Sequence, residues 1–73
     1  MEYVIVEFEG SRPVYVDGTE SGTTNKIFRV GAGLHEFHLG MPLDYYPRQK
    51  RIAIRNTNSL EPEKIPFDRL TPS

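Results

Sequence analysis

Along the first nine residues apolar and polar positions alternate: in YVIVEFE, residues 3–9, Val4, Val6 and Phe8 fall on one face and Glu7 and Glu9 on the other. A period of two is that of a half-buried strand. Tyr3 and Ile5 share the glutamate face, so the first half of this strand is apolar on both sides, and the C-terminal tail is a candidate to cover it. After the punctuation of Gly10 to Pro13, VYV gives a second strand with Val14 and Val16 inward. Asp17-Gly18 ends it, since both residue types accept the positive backbone angles of tight turns. The polar run to Asn25 then predicts a corner. KIFRV resumes with Phe28 and Val30 on one face, GAG interrupts, LHEFHL alternates again, and RQKRIAIRN ends in a strand with Ile52 and Ile54 paired.

No window of eleven or more residues keeps apolar spacings of three and four, so no helix is expected. Turn chemistry separates five strands at intervals of about ten residues. That spacing predicts an all-β fold, a small antiparallel β-sandwich or partly open barrel of about five to six short strands. Residues 1–57 carry this pattern. Residues 58–73 form a Pro-containing C-terminal arm whose Ile65, Phe67 and Leu70 favour docking, as an extra strand, over a linker.

Size sharpens the picture. A chain of 73 residues buries roughly 60% of its unfolded surface and has little core to spare. It contains no cysteine, which removes disulfides and thiolate metal sites. The formal net charge of -1 supplies no global field for nucleic acid or anionic lipid, so polyanion binding would need a local patch. The N-terminus has neither the basic start nor the long apolar run of a signal peptide, and no stretch approaches the roughly 20 apolar residues of a membrane span. The expected location is cytoplasmic for a complete chain and the cell envelope for a module excised from a larger protein.

The ordered set VYVDGTESGTTN, IFRVGAGLHEFHL and YY resembles the PEGA domain family. Its pattern runs roughly V-x-V-D-G-x-x-x-G-x-T-P, a strand, a short glycine turn, G-x-H-x-v-x-l, a tyrosine and a closing strand. Val14, Val16, Asp17, Gly18, Gly22 and Thr24 match the first half in register. Gly33, His35, Phe37 and Leu39 match the second, Tyr45 or Tyr46 the tyrosine, and Ile52 with Ile54 the last strand. The match covers about residues 4–56, with Asn25 where the family usually has proline and Ser21 where it often has an aliphatic residue. The resemblance implies a small β-sandwich without catalysis that mediates protein or cell-envelope contacts.

Candidate chemistry is sparse. Glu7 and Glu9 sit about 6.7 Å apart on one strand face, but two neighbours on a solvated face lack the opposed environments of a glycosidase pair. His35 and His38, at odd spacing, point to opposite faces and do not share a metal ion. His35 lies with Phe37 and Leu39, which predicts a partly buried ring hydrogen-bonded to a turn. Thr19, Ser21, Thr23 and Thr24 lack a supporting base and read as turn hydroxyls. No lysine and no helix follow the glycines of VGAGLHEFHLG, so they form no phosphate loop. Asp17, Gly18, Gly22, Thr24, Gly33 and His35 are therefore assigned to structural turns. No catalytic residue, metal or cofactor is predicted.

LDYYPRQKRIAIR is different. Tyr45 and Tyr46 precede Arg48, Lys50, Arg51 and Arg55, and in an extended strand Arg51 and Arg55 lie opposite Ile52 and Ile54. Arginine and tyrosine are typical of protein interface hot spots. The sequence thus predicts a non-catalytic interaction module presenting a sheet surface to a protein partner, or self-associating through a sheet edge. The alternative is binding of single-stranded nucleic acid or an anionic glycan through the basic strand 48–55.

Overall fold

In the computed structural model, which describes residues 1–70, Asp17 and Gly18 have φ of 52° and 86°. Two successive positive φ values suit a two-residue hairpin, whose twist matches that of the strands it joins. Strand β2 (Pro13–Val16) therefore folds straight back as β3 (Thr19–Thr23), with Val16 opposite Thr19. This corrects the expected corner over residues 19–25: TESGT is a strand. Its sequence hides this because Thr19, Glu20 and Ser21 are exposed and show no apolar alternation.

Gly22 does not bend the chain either. It pairs with Val14 inside β3, and a Cβ there would lie 2.6 Å from the Phe28 ring. The missing side chain is the space that Phe28 fills. Thr24 lies beyond the strand and is buried; its hydroxyl donates to the Gly10 carbonyl at 2.7 Å and accepts from the Arg12 N–H at 2.9 Å. Asn25 makes the turn into β4 (Ile27–Val30) at φ 65°. Its backbone N–H donates to the Val6 carbonyl at 2.7 Å, and its side-chain amide both donates to and accepts from the backbone of Phe8. Proline has neither that φ nor an N–H, which accounts for asparagine at this position.

Strands β1 (Glu2–Glu7), β5 (Gly33–His38), β6 (Tyr45–Tyr46), β7 (Lys50–Ile54), β8 (Glu63–Pro66) and β9 (Asp68–Arg69) complete the set, with no helix among the described residues. They form a three-stranded sheet in the order β4-β1-β8, a four-stranded sheet in the order β3-β2-β5-β7, and a β6-β9 ribbon. One pairing departs from the antiparallel expectation: β8 runs parallel to β1, Ile65 opposite Val6. No helix here is long and apolar enough to cross a membrane.

One core joins the sheets. Val4, Val6, Val30 and Ile65 come from the smaller sheet, Val14, Val16, Phe37 and Ile54 from the larger, with Phe8, Leu39, Tyr45 and Phe67 around them. The alternation in each strand accounts for these inward residues. Residues of the C-terminal arm enter this core through Ile65 and Phe67, whereas Leu70 is half exposed; the arm's last three residues lie outside the described ones. The arm lies beside β1 as a ladder partner and not over its face, so Tyr3 and Ile5 stay half-buried.

Candidate interaction surface

The basic segment does not act as a unit. Tyr45 belongs to the core: its hydroxyl accepts from the Leu39 N–H at 3.2 Å, and its ring lies 5.6 Å from that of Phe67. It is therefore not available to a partner, which corrects the expectation for this residue. Period two leaves its neighbour Tyr46 outward, 63% exposed, opposite Asp68 of β9. Lys50 is half-buried on the face of Ile52 and Ile54, its ammonium 5.4 Å from the Phe67 ring centroid. Arg48 and Arg55 are exposed, and Arg51 is exposed with a long 3.7 Å ion pair to Glu36.

Those residues flank an open edge. Among the described residues β7 pairs with β5 only. Glu36 accepts from the Asp17 N–H at 2.8 Å and donates its own N–H to Asp17 Oδ1 at 2.9 Å, so both of its backbone groups face β2. Backbone groups of successive strand residues point to alternate sides. His35 and Phe37 therefore turn theirs toward β7, where they meet Ile52 and Lys50. Arg51 and Ala53 then direct N–H and C=O away from β5, to the side where β7 has no strand partner among the described residues.

The outer face of the same sheet continues the surface. Leu34 lies opposite Ala53 and is 60% exposed, Glu36 lies opposite Arg51, and the rings of Tyr15 and His38 stack at 5.0 Å, nearly parallel. Gly40 makes room for this stack, since a Cβ on it would come 2.7 Å from the Tyr15 ring. Sequence patterning placed Leu34 and Tyr15 outward without marking them, because a single outward apolar residue carries no signal until its neighbours are known.

Two polar clusters hold the scaffold behind this surface. His35 lies with Nδ1 2.6 Å from Asp17 Oδ2 and Nε2 2.6 Å from the Gly31 carbonyl oxygen. The hydrogen bond to His35 holds the Asp17 carboxyl below its ordinary range, and the same bond raises the imidazole. The turn pair Asp17-Gly18 is thus tied to the glycine turn before β5, which Gly33 closes at φ 120°. Sequence reasoning missed the second cluster entirely. Arg12, nearly buried, donates to Asp44 at 2.6 Å and to the Pro42 carbonyl at 2.9 Å, while its guanidinium lies over the rings of Phe8 and Tyr45. Arg69 reaches Asp44 at 3.2 Å and Glu9 at 2.7 Å. Each ion pair joins residues distant in the chain and offers no local motif.

The geometry defines a small all-β domain with an exposed sheet edge. Compared with protein-family models, with curated proteins and with solved structures, the chain matches none.

Proposed function

We propose that this chain is a PEGA-like, non-catalytic interaction module that presents the outer face of its four-stranded sheet and the edge of β7 to a protein partner. The observation that carries this reading is the outward backbone of Arg51 and Ala53 beside exposed Leu34, Arg48 and Arg55. An unpaired ladder edge next to an apolar side chain and arginines has the composition that partner strands and interface hot spots use.

Binding of nucleic acid or an anionic glycan is the competing reading. It loses Tyr45 to the core, Lys50 to Phe67 and part of Arg51 to Glu36. Stacking platforms and a continuous cationic groove are what that chemistry needs. The test is affinity capture of partners by the wild-type chain and by the double variant Arg51→Glu, Arg55→Glu, with titration of single-stranded DNA and heparin at low salt alongside. A protein captured by the wild type and lost by the double variant supports the module reading. Equal capture by both overturns the surface, and salt-dependent binding of DNA or heparin favours the polyanion reading.

A further inference from the structure

Within that module reading, we infer that the β7 edge receives an extended acidic peptide as an added strand. Strand addition requires N–H and C=O groups on the free side, and Arg51 and Ala53 provide two of each. The other edges of the three- and four-stranded sheets are less open. β8 is bracketed by Pro62 and ends in Pro66, which has no N–H to offer. β3 carries a register shift in its pairing with β2, and Phe28 of β4 leans on Gly22 of β3, so those two edges meet at a corner.

Charge selects the occupant. On the outer face of β7 the order is Arg51 then Ala53, with Arg55 one residue past the strand's end, and on the inner face half-buried Ile52 precedes buried Ile54. A second copy paired antiparallel about Ala53 would set Arg51 against Arg55 twice, and like charges directly opposite are destabilising; paired about Ile52 it would set Arg51 against Ala53 and offer no acid to either arginine. A strand with acids four residues apart, a small residue between them and apolar residues at the alternate positions instead complements both faces. Its acids meet Arg51 and Arg55, its middle residue meets Ala53, and its apolar residues cover Ile52.

The probe is a capped nine-residue peptide of that pattern, with glutamates four apart and valines at the alternating positions, titrated by amide chemical shifts. A lysine-for-glutamate version is the charge control. The acidic peptide is expected to bind and to protect the Arg51 and Ala53 amides from exchange, with the lysine version about tenfold weaker. Ala53→Pro removes an outward N–H that β5 does not use, and proline is tolerated on an edge with that side free. It should weaken binding by about tenfold or more with far-ultraviolet circular dichroism unchanged, while Ala53→Val retains it. Should Ala53→Pro fail to fold, a peptide N-methylated at the residue facing Arg51 removes the donor to the Arg51 carbonyl, tests the same ladder on the wild-type chain and should lose binding.

The inference is overturned by no binding, by equal binding of both peptides, by unchanged affinity for Ala53→Pro or the methylated peptide, or by protection elsewhere. Each of these leaves the module reading intact if a captured protein still depends on Arg51 and Arg55.

Discussion

Asp17 and His35 show how much one turn residue can be asked to do. Asp17 supplies a positive φ for the hairpin, accepts the Glu36 N–H and bonds the His35 ring. The pKa directions fix the sign of the pH response. His35 is raised above its ordinary value of 6.5, so its contribution is full below 6.5 and is lost as pH rises through the raised value. Asp17 is lowered from 3.8, so its contribution is present above 3.8 and is lost as pH falls through the lowered value. The pair stabilises most between these two values. Calorimetry should give a higher melting temperature at pH 5.5 than at pH 8.5, and His35→Gln should flatten that difference. An unchanged difference in the variant would remove the pair as its source.

Asn25 belongs to the same scale. Asn25→Pro loses the hydrogen bond to Val6 and imposes a negative φ, whereas Asn25→Gly keeps the angle and loses only the side-chain bonds to Phe8 and the long one to Gly10. With each bond worth about 0.5–1.5 kcal/mol, glycine is expected to cost roughly 1–3 kcal/mol and proline clearly more, by urea denaturation. Proline at this position was the pattern of the family resemblance, and the difference traces to the backbone groups of β1 that this turn must satisfy.

Among the elements, β3 and β7 are the instructive pair. Both are outer strands of one sheet, yet only β7 alternates visibly in sequence, through Ile52 and Ile54. β3 is recognised as a strand by its pairing with β2 and not by its composition, because its inward position is glycine. The Gly22 to Phe28 contact then predicts that Gly22→Ala overpacks the corner between β3 and β4, at a cost of about 1–3 kcal/mol. A melting temperature equal to wild type would mean that Phe28 moves aside freely. Arg51 and Arg55 lie outward opposite Ile52 and Ile54 as their spacing predicts, but a strand sends neighbours to opposite faces, and Tyr45 and Lys50 fall on the side facing the core.

Across the whole molecule, the parallel contact of β1 with β8 closes the smaller sheet with residues from both ends of the described chain. The Thr57 hydroxyl reinforces it, accepting from the Tyr3 N–H at 2.7 Å and donating to Glu2, whose carboxyl it holds below the ordinary range. A domain this small has a total stability of about 4–11 kcal/mol. Ile65→Ala alone, at a fully buried position, is expected to cost about 2–5 kcal/mol. A chain ending at residue 57 loses Ile65 and Phe67 together and should give no cooperative unfolding transition; a cooperative transition would show that the remaining strands fold alone.

Legibility followed the range of the forces involved. The inward faces of β1, β2, β4, β5 and β7, the Asp17-Gly18 turn and the all-β class were readable because side-chain alternation and backbone angles are local properties. Local preference does not decide which strand lies beside which. The parallel placement of β8, the Arg12, Asp44, Arg69 and Glu9 cluster and the free side of β7 arise from pairings between residues distant in the chain. By itself the sequence determined a sheet-forming chain with a turn at Asp17-Gly18 and a basic strand over residues 48–55. Only the tertiary structure decided which of those basic and aromatic residues face solvent, because a side chain's exposure depends on what packs against it.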